Sequence, residues 1–281
     1  MLSATSTREF AGSKFVSTIF LERKLRAHVV RRDRLVYDGR FAPPGKKANA
    51  VAHLYVQLQG TFAPAGGSPV SGRSAWVLDE SEFDRVQPGS RTFRSFGDQA
   101  LVCELRIPTA DLHRAVGMDH GQLALPDSVW EAYGALEATP TETALYALIQ
   151  RLTEAGILSK DLASSIVPNE PERFARLWTV MKPLYEELST SASLKQIATI
   201  ARLSLRQLGR DLGDLSRTFG LFGGGFRDAS RVIRLRAATL FLSAPNATPS
   251  EVARTVGYGS LDAMGRAFRD ANLPSPSVVV S

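Results

Sequence analysis

One cysteine and four histidines in 281 residues leave little material for disulfide or metal chemistry. The lone Cys103 excludes an internal disulfide, and it lies in an apolar run, residues 100–105, where a small buried side chain is the default. His28, His53, His113 and His120 include no His-x-His pair and no close cluster with a carboxylate at ligand spacing, so no metal ligand is assigned. His53, beside Leu54 and Tyr55, reads as a packed or pocket-lining residue. No apolar run approaches the roughly 20 residues of a membrane span. Arg8 and Glu9 stand where a secretory leader would turn apolar, so the expected location is cytoplasmic. The run Gly223 to Gly225 lacks the Lys-Ser/Thr that follows in a phosphate-binding loop, and a flexible inter-helix loop is expected there. Glu80, Glu82 and Asp84 read as a solvated acidic loop. No catalytic residue and no cofactor is assigned.

What the chain does have is an uneven distribution of charge. The formal net charge is +6, and residues 188–281 carry 12 Lys and Arg against 6 Asp and Glu, while residues 1–187 hold 22 of each. An excess confined to one end favours a polyanionic partner and binding that weakens with salt. A solvated basic surface would give the same count.

The basic end contains one pattern twice. Ser193 with Gln196 forms a capping box, after which Leu194, Ile197, Ala198 and Ala201 fall at helical spacing on one face. A turn through Arg202 and Leu203 follows. Ser204 with Gln207 then opens a second helix, with Leu205, Leu208 and Leu212 on its buried face and Arg206, Gln207 and Arg210 outward. The second copy opens at Thr248, with Pro249 at the first helical position and Glu251 at the third. Val252, Ala253 and Val256 give its buried face and Gly257 the permissive turn. Ser260 caps a last helix that buries Leu261, Met264 and Phe268 and shows Asp262, Arg266 and Arg269 outward. A connecting helix over residues 226–242 has Val232, Ile233, Leu240 and Phe241 to bury and carries Arg227, Arg231, Arg234 and Arg236.

Helix, tight turn, helix is the unit that lays its second helix in the major groove, where Arg reads guanine and Gln reads adenine. The serine caps turn the positive end of each second helix toward phosphate. A rigid connector can hold two such helices about one DNA turn, ~34 Å, apart. Two ordinary helical hairpins with solvated arginines remain the alternative.

The residues Ser204-Leu-Arg-Gln-Leu-Gly-Arg210, Arg234-Leu-Arg-Ala-Ala238, Val252-Ala253, Gly257-Tyr258, Ser260, Arg266-Ala-Phe268 and Ser275-Pro276 resemble the DNA-binding domain of the AraC/XylS family of bacterial transcription regulators. The resemblance covers roughly the last third of the chain. It departs from the family pattern in the loop of residues 217–225 and at Ala229, Met264 and Leu273, which suits a divergent member. It implies DNA contacts from Ser204, Arg206, Gln207 and Arg210 in the first copy and from Ser260, Asp262, Arg266 and Arg269 in the second.

Toward the N-terminus, residues 15–21, 28–37, 53–59, 74–78 and 101–107 read as short strands. Turn chemistry at Pro43, Pro44 and Gly45, at Pro64 to Gly67, and at Pro88 and Gly89 separates several of them. Many short strands with such turns suggest a small barrel or sandwich. By order and length this region is similar to the cupin-like barrel of the same family. Phe62, Trp76, Phe93 and Phe96 line a ligand pocket or fill a plain core. Helical spacing follows over residues 110–116, 128–136, 141–155 and 171–188. Ala144, Leu145, Leu148, Ile149 and Leu152 form a face that either meets a partner helix or packs on its own chain.

The fold expected is α+β, with an N-terminal small β-barrel plus helices over residues 1–187. An all-α DNA-binding domain of two helix-turn-helix motifs joined by a connecting helix follows over residues 188–281. The function expected is sequence-specific transcription regulation, with double-stranded DNA as partner and a small-molecule effector, a second copy of the chain and RNA polymerase as further candidates. The alternative is a cupin-type metalloenzyme or small-molecule binding protein whose C-terminal helices mediate assembly.

Overall fold

Residues 101–107 alternate, with Leu101, Cys103, Leu105 and Ile107 toward one side and Val102, Glu104 and Arg106 toward the other, and all seven are buried. A strand covered on both sides belongs between two layers. In the computed structural model, which describes residues 1–38, 51–64, 69–78, 92–113, 122–166, 170–188, 192–219, 225–271, 273 and 275–277, it is the central strand of an antiparallel sheet. The strands are β1 Leu2–Phe10, β2 Ser13–Leu21, β3 Arg26–Asp38, β4 Val51–Pro64, β5 Val70–Ser71, β6 Ser74–Leu78 and β7 Thr92–Pro108. Their order is β1-β2-β3-β7-β4-β5, with β6 also on β4.

Among the described residues this sheet does not close, which corrects the expected barrel. β1 pairs only with β2, and β5 and β6 pair only with β4. β1 itself was not legible in the sequence. It joins β2 through a two-residue turn at Ala11 (φ 48) and Gly12 (φ 76), both left-handed, with Phe10 paired to Ser13. Such turns normally announce themselves with Asn or Asp at the first position, and here alanine occupies it.

One face of the sheet, with Ala27, Val29, Leu54, Val56, Cys103 and Leu105, packs against α1 Asp127–Ala138, α2 Glu142–Glu154 and α3 Lys160–Ser164. Leu145, Leu148, Ile149 and Leu152 of α2 are completely or almost completely buried here, so this face is covered within its own chain. The helix expected over residues 110–116 is absent in its described part. Thr109–Asp111 is a single 3-10 turn, and Leu112 then bridges to Leu158 while Asp111 Oδ1 accepts from Ser159 Oγ at 2.6 Å. Those non-local partners outweigh the local helical spacing.

The opposite face of the sheet meets α4 Glu172–Glu187 and the C-terminal helices α5 Leu194–Ala201, α6 Leu205–Phe219, α7 Phe226–Leu242, α8 Pro249–Thr255 and α9 Leu261–Asp270. α4 lies on β1, where Trp178 Nε1 donates to the Ser3 carbonyl at 3.1 Å. Leu2, Ala4 and Leu21 share a core with Phe174, Trp178, Ile197, Leu208 and Leu212. Phe15, Val30 and Tyr55 share another with Leu235, Leu240, Phe241 and Phe268. The sheet is therefore a divider, and the C-terminal helices are built onto its second face.

Pro43, Pro44, Gly45, residues 65–67, Pro88, Gly89, the acidic run Glu80 to Asp84, His120, Gly223 and Gly224 lie outside the described residues. So do the side chains of Phe62, Phe93 and Phe96, whose backbones belong to β4 and β7.

Candidate nucleic-acid interface

Each of the four short helices in the two copies starts with a capped serine or threonine. Ser193 and Gln196 form the full reciprocal box, with Gln196 N–H donating to Ser193 Oγ at 3.2 Å and Ser193 N–H to Gln196 Oε1 at 2.7 Å. Ser204 Oγ accepts from Gln207 N–H at 3.2 Å, Thr248 Oγ1 from Glu251 N–H at 3.3 Å and Ser260 Oγ from Ala263 N–H at 3.1 Å. Each such cap satisfies a first-turn amide that would otherwise lack a partner.

The turns correspond as well. Arg202 adopts φ 54 at the position where the second copy has Gly257 at φ 82. Leu203 N–H returns to the Ala198 carbonyl at 3.0 Å, and Tyr258 N–H returns to Ala253 at 2.8 Å. After the turns the sequence itself repeats. Ser204-Leu-Arg-Gln-Leu-Gly-Arg210 and Ser260-Leu-Asp-Ala-Met-Gly-Arg266 share serine, leucine, glycine and arginine at equivalent places, with Leu208 and Met264 equivalent and both fully buried.

The residues expected to meet DNA are placed as follows. Ser204, Arg206 and Arg210 are exposed on α6, with Gln207 half-buried between them. Ser260, Asp262, Arg266 and Arg269 are exposed at the cap and along α9. Arg206 and Arg210, like Asp262 and Arg266, stand four apart and so lie one turn from each other on one helix face.

One expectation about burial is overturned. Leu205 and Leu261, read as core residues, are 52% and 41% exposed. Each is the first helical residue, and the first turn projects past the cluster that takes Leu208, Leu212 and Leu215 in one case and Met264 and Phe268 in the other. Arg236, read as one of four arginines along the connector, is buried at 8% exposure. Its Nη2 donates to Ser17 Oγ at 2.6 Å and to His28 Nε2 at 3.1 Å. Arg32 makes the reverse crossing from β3, donating to the Leu240 carbonyl of α7 and to Ser13 Oγ at 3.3 Å.

The other three connector arginines line a groove between α7 and α9. Its volume is about 730 Å³, and Arg227, Arg231, Arg234, Tyr258 and Arg266 are among its walls, with Asp228 and Asp270 the acidic residues there. The Arg234 guanidinium lies 5.8 Å from the Tyr258 ring centre, and Arg231 Nη2 is 3.9 Å from Asp270. The Tyr258 hydroxyl is buried without a hydrogen-bond partner among the described residues. Burial raises its pKa, against the opposing pull of Arg234 and Arg231. The groove therefore joins an outward arginine of α9 to the basic side of the connector.

Sequence reasoning missed the polar set inside the sheet. His53 Nδ1 and Arg106 Nε each lie 2.8 Å from Glu104 Oε1, with His53 stacked on Tyr55 at 5.8 Å. Burial alone would raise the Glu104 pKa, but Arg106 and His53 outweigh it and hold the carboxyl well below the usual range. His28 is pushed well below its ordinary value, first by burial and then by Arg236. The signal was present in the alternation of 101–107, where Glu104 and Arg106 share a face that only a second covering layer could bury. Among the described residues no three His, Cys, Asp or Glu gather so as to hold a metal ion. No helix is long and apolar enough to cross a membrane among them either.

No protein-family model matches the chain, and no curated protein matches it. Among solved structures it is similar to ToxT from Vibrio cholerae, at 10% identity and a TM-score of 0.40 over 91% of this chain and 98% of that one. It is also similar to ToxT from Vibrio cholerae strain SCE256 with an unsaturated fatty acid bound, at 13% identity and a TM-score of 0.38 over 97% and 96%. The AraC-like transcriptional activator CuxR is similar at 11% identity and a TM-score of 0.24 over 95% of this chain and 78% of that one. At these identities no side-chain role passes from those proteins to this chain.

Proposed function

We propose that this chain is a sequence-specific DNA-binding transcription regulator of the AraC/XylS type. The observation that carries the reading is the repeat itself: two serine-capped helices, each behind a short capped helix and a left-handed turn, each presenting exposed arginine. Helix N-termini with that geometry attract phosphate, and arginines one turn apart can reach successive base edges. Arg206 and Arg210 would read in the first major groove, and Arg266 and Arg269 in the second, with Asp262 beside them. Gln207 would act at the edge of the first. The seventeen residues of α7 span about 25 Å at 1.5 Å per residue, short of the ~34 Å of one DNA turn, so the rest of the separation would come from the reading helices lying beyond its two ends.

The groove between α7 and α9 supplies the phosphate side of the same interface. Arg227 and Arg231 would neutralise backbone charge near the second reading helix, and this term would weaken with salt. The N-terminal part, residues 1–187, would sense an effector or dimerise. Arg236 and Arg32 tie α7 to the sheet, and that seam is the physical route by which either event reaches the reading helices.

The reading is tested by footprinting the full chain on a bound promoter fragment. Two protected stretches, with base contacts about 10 base pairs apart on one face of the duplex, are expected. A single protected stretch, or uniform protection without sequence preference, would contradict it.

A further inference from the structure

Three large apolar side chains are exposed among the described residues, Ile200, Leu205 and Leu261. A single exposed leucine calls for no explanation. Two of these three, however, occupy the same place in the two copies, directly after the capping serine and on the first turn of each reading helix. Ile200 has no apolar counterpart, since Thr255 stands at its place in the second copy.

The glycines repeat with them. Gly209 and Gly265 lie four residues beyond Leu205 and Leu261, one turn further along the same helix face. A Cβ at Gly209 would meet nothing within 4 Å, and one at Gly265 would meet only Arg269 Nη1 at 3.8 Å. The fold does not require glycine at either place, and glycine inside a helix costs about 1 kcal/mol relative to alanine. Both helices thus present an apolar first turn followed one turn later by a position without a side chain, open at Gly209 and beside Arg269 at Gly265, and bordered by exposed arginine.

We propose that Leu205 and Leu261 read thymine through its C5-methyl group, and that Gly209 and Gly265 let the base edges approach the helix backbone. This rests on the DNA-binding reading and deepens it. The thymine methyl is the apolar group that the major groove displays, and reading helices present their N-terminal residues to it. A Cα–Cβ bond on a helix tilts toward the N-terminus, which aims both leucines into the groove. The arginines beside them match a polyanion. A second copy of this chain docked on the same face would bring like charges together.

The experiment uses the full chain and a duplex that it selects, with each thymine replaced in turn by deoxyuridine, which removes the methyl alone. One thymine in each half-element should bind about fourfold more weakly as uracil, the effect of one buried methyl. Leu205→Ala should abolish that ratio in one half-element and Leu261→Ala in the other. Gly209→Ala should weaken binding to thymine and uracil duplexes alike while its thermal midpoint holds or rises, which separates blocked approach from misfolding. Specific binding with equal affinity for thymine and uracil throughout would overturn the inference and leave the DNA reading standing. An unchanged ratio in both leucine variants would also overturn it, and if those variants lost a dimer instead, the leucines would belong to an interface between copies. Absence of any specific DNA binding would overturn both readings.

Discussion

Arg236, on the helix between the two motifs, donates to Nε2 of His28 on β3 at 3.1 Å, and Ser17 Oγ sits 2.8 Å from the same nitrogen. Since arginine only donates, Nε2 carries a lone pair and the imidazole proton is on Nδ1. Ser17 accepts from Arg236 and donates to His28, so three side chains from α7, β2 and β3 close one small network. The connector between the two capped-helix motifs is thereby fastened to the sheet by a neutral histidine.

That arrangement makes stability depend on pH in a defined window. The folded His28 takes up its proton well below the ordinary value of about 6.5, so between those two points the unfolded chain holds more protons. Stability should be flat with respect to this group above about pH 7 and should fall as pH drops below about 6.5, by up to about 1.4 kcal/mol per unit for one proton. Thermal melts from pH 7.5 to 5 on the chain and on His28→Gln check this, the variant being expected to show a shallower decline. Equal slopes would contradict it. Glu104 acts in a lower window, because a depressed carboxyl loses its contribution only as pH falls below about 4.5 toward its folded value.

Arg202 and Gly257 hold equivalent left-handed turns, but only one of them is glycine. A side chain at positive φ costs about 1 kcal/mol or more. Arg202→Gly should therefore stabilise the chain by about 1 kcal/mol, read as a rise of about 2–4 °C in thermal midpoint, with DNA affinity unchanged. A fall in the midpoint would show that the Arg202 side chain holds the turn.

The four caps separate structure from recognition. Ser193→Ala and Thr248→Ala should each cost about 1 kcal/mol of stability. Ser204→Ala and Ser260→Ala should cost the same and also weaken DNA binding, because in the proposed function those two helices would meet the duplex. Equal affinity losses in all four would place the effect in folding alone.

Arg210 and Arg231 should differ in kind. Arg210→Ala is expected to lose about 1–3 kcal/mol of specific binding and to relax preference at one base pair. Arg231→Ala should weaken all sequences alike and lower the salt slope by about 1. Titrations on selected and scrambled duplexes at several salt concentrations distinguish the two.

The C-terminal elements were legible because their signals are local. A serine or threonine followed by glutamine or glutamate three residues on fixes a helix start within a few atoms, and at Ser193, Ser204 and Thr248 the reading and the structure agree. Ser260 lacks that second residue yet caps in the same way. What escaped was set by distant partners. The open sheet depends on which strand edges meet, β1 depends on an Ala-Gly turn with no sequence signal, and nothing in the helix separates Arg236 from the other connector arginines until the sheet face that buries it is known. The exposure of Leu205 and Leu261 escaped for a related reason, since periodicity gives a face but not where the core ends along it.

Selection of genomic fragments by the purified full chain, followed by salt titration on the winners against scrambled competitor, tests the central claim most directly. The account predicts a shared motif with two half-elements about one helical turn apart, bound well above competitor and losing affinity steeply with salt. Enrichment without any shared motif would contradict it, leaving the basic excess of residues 188–281 as general attraction for polyanions.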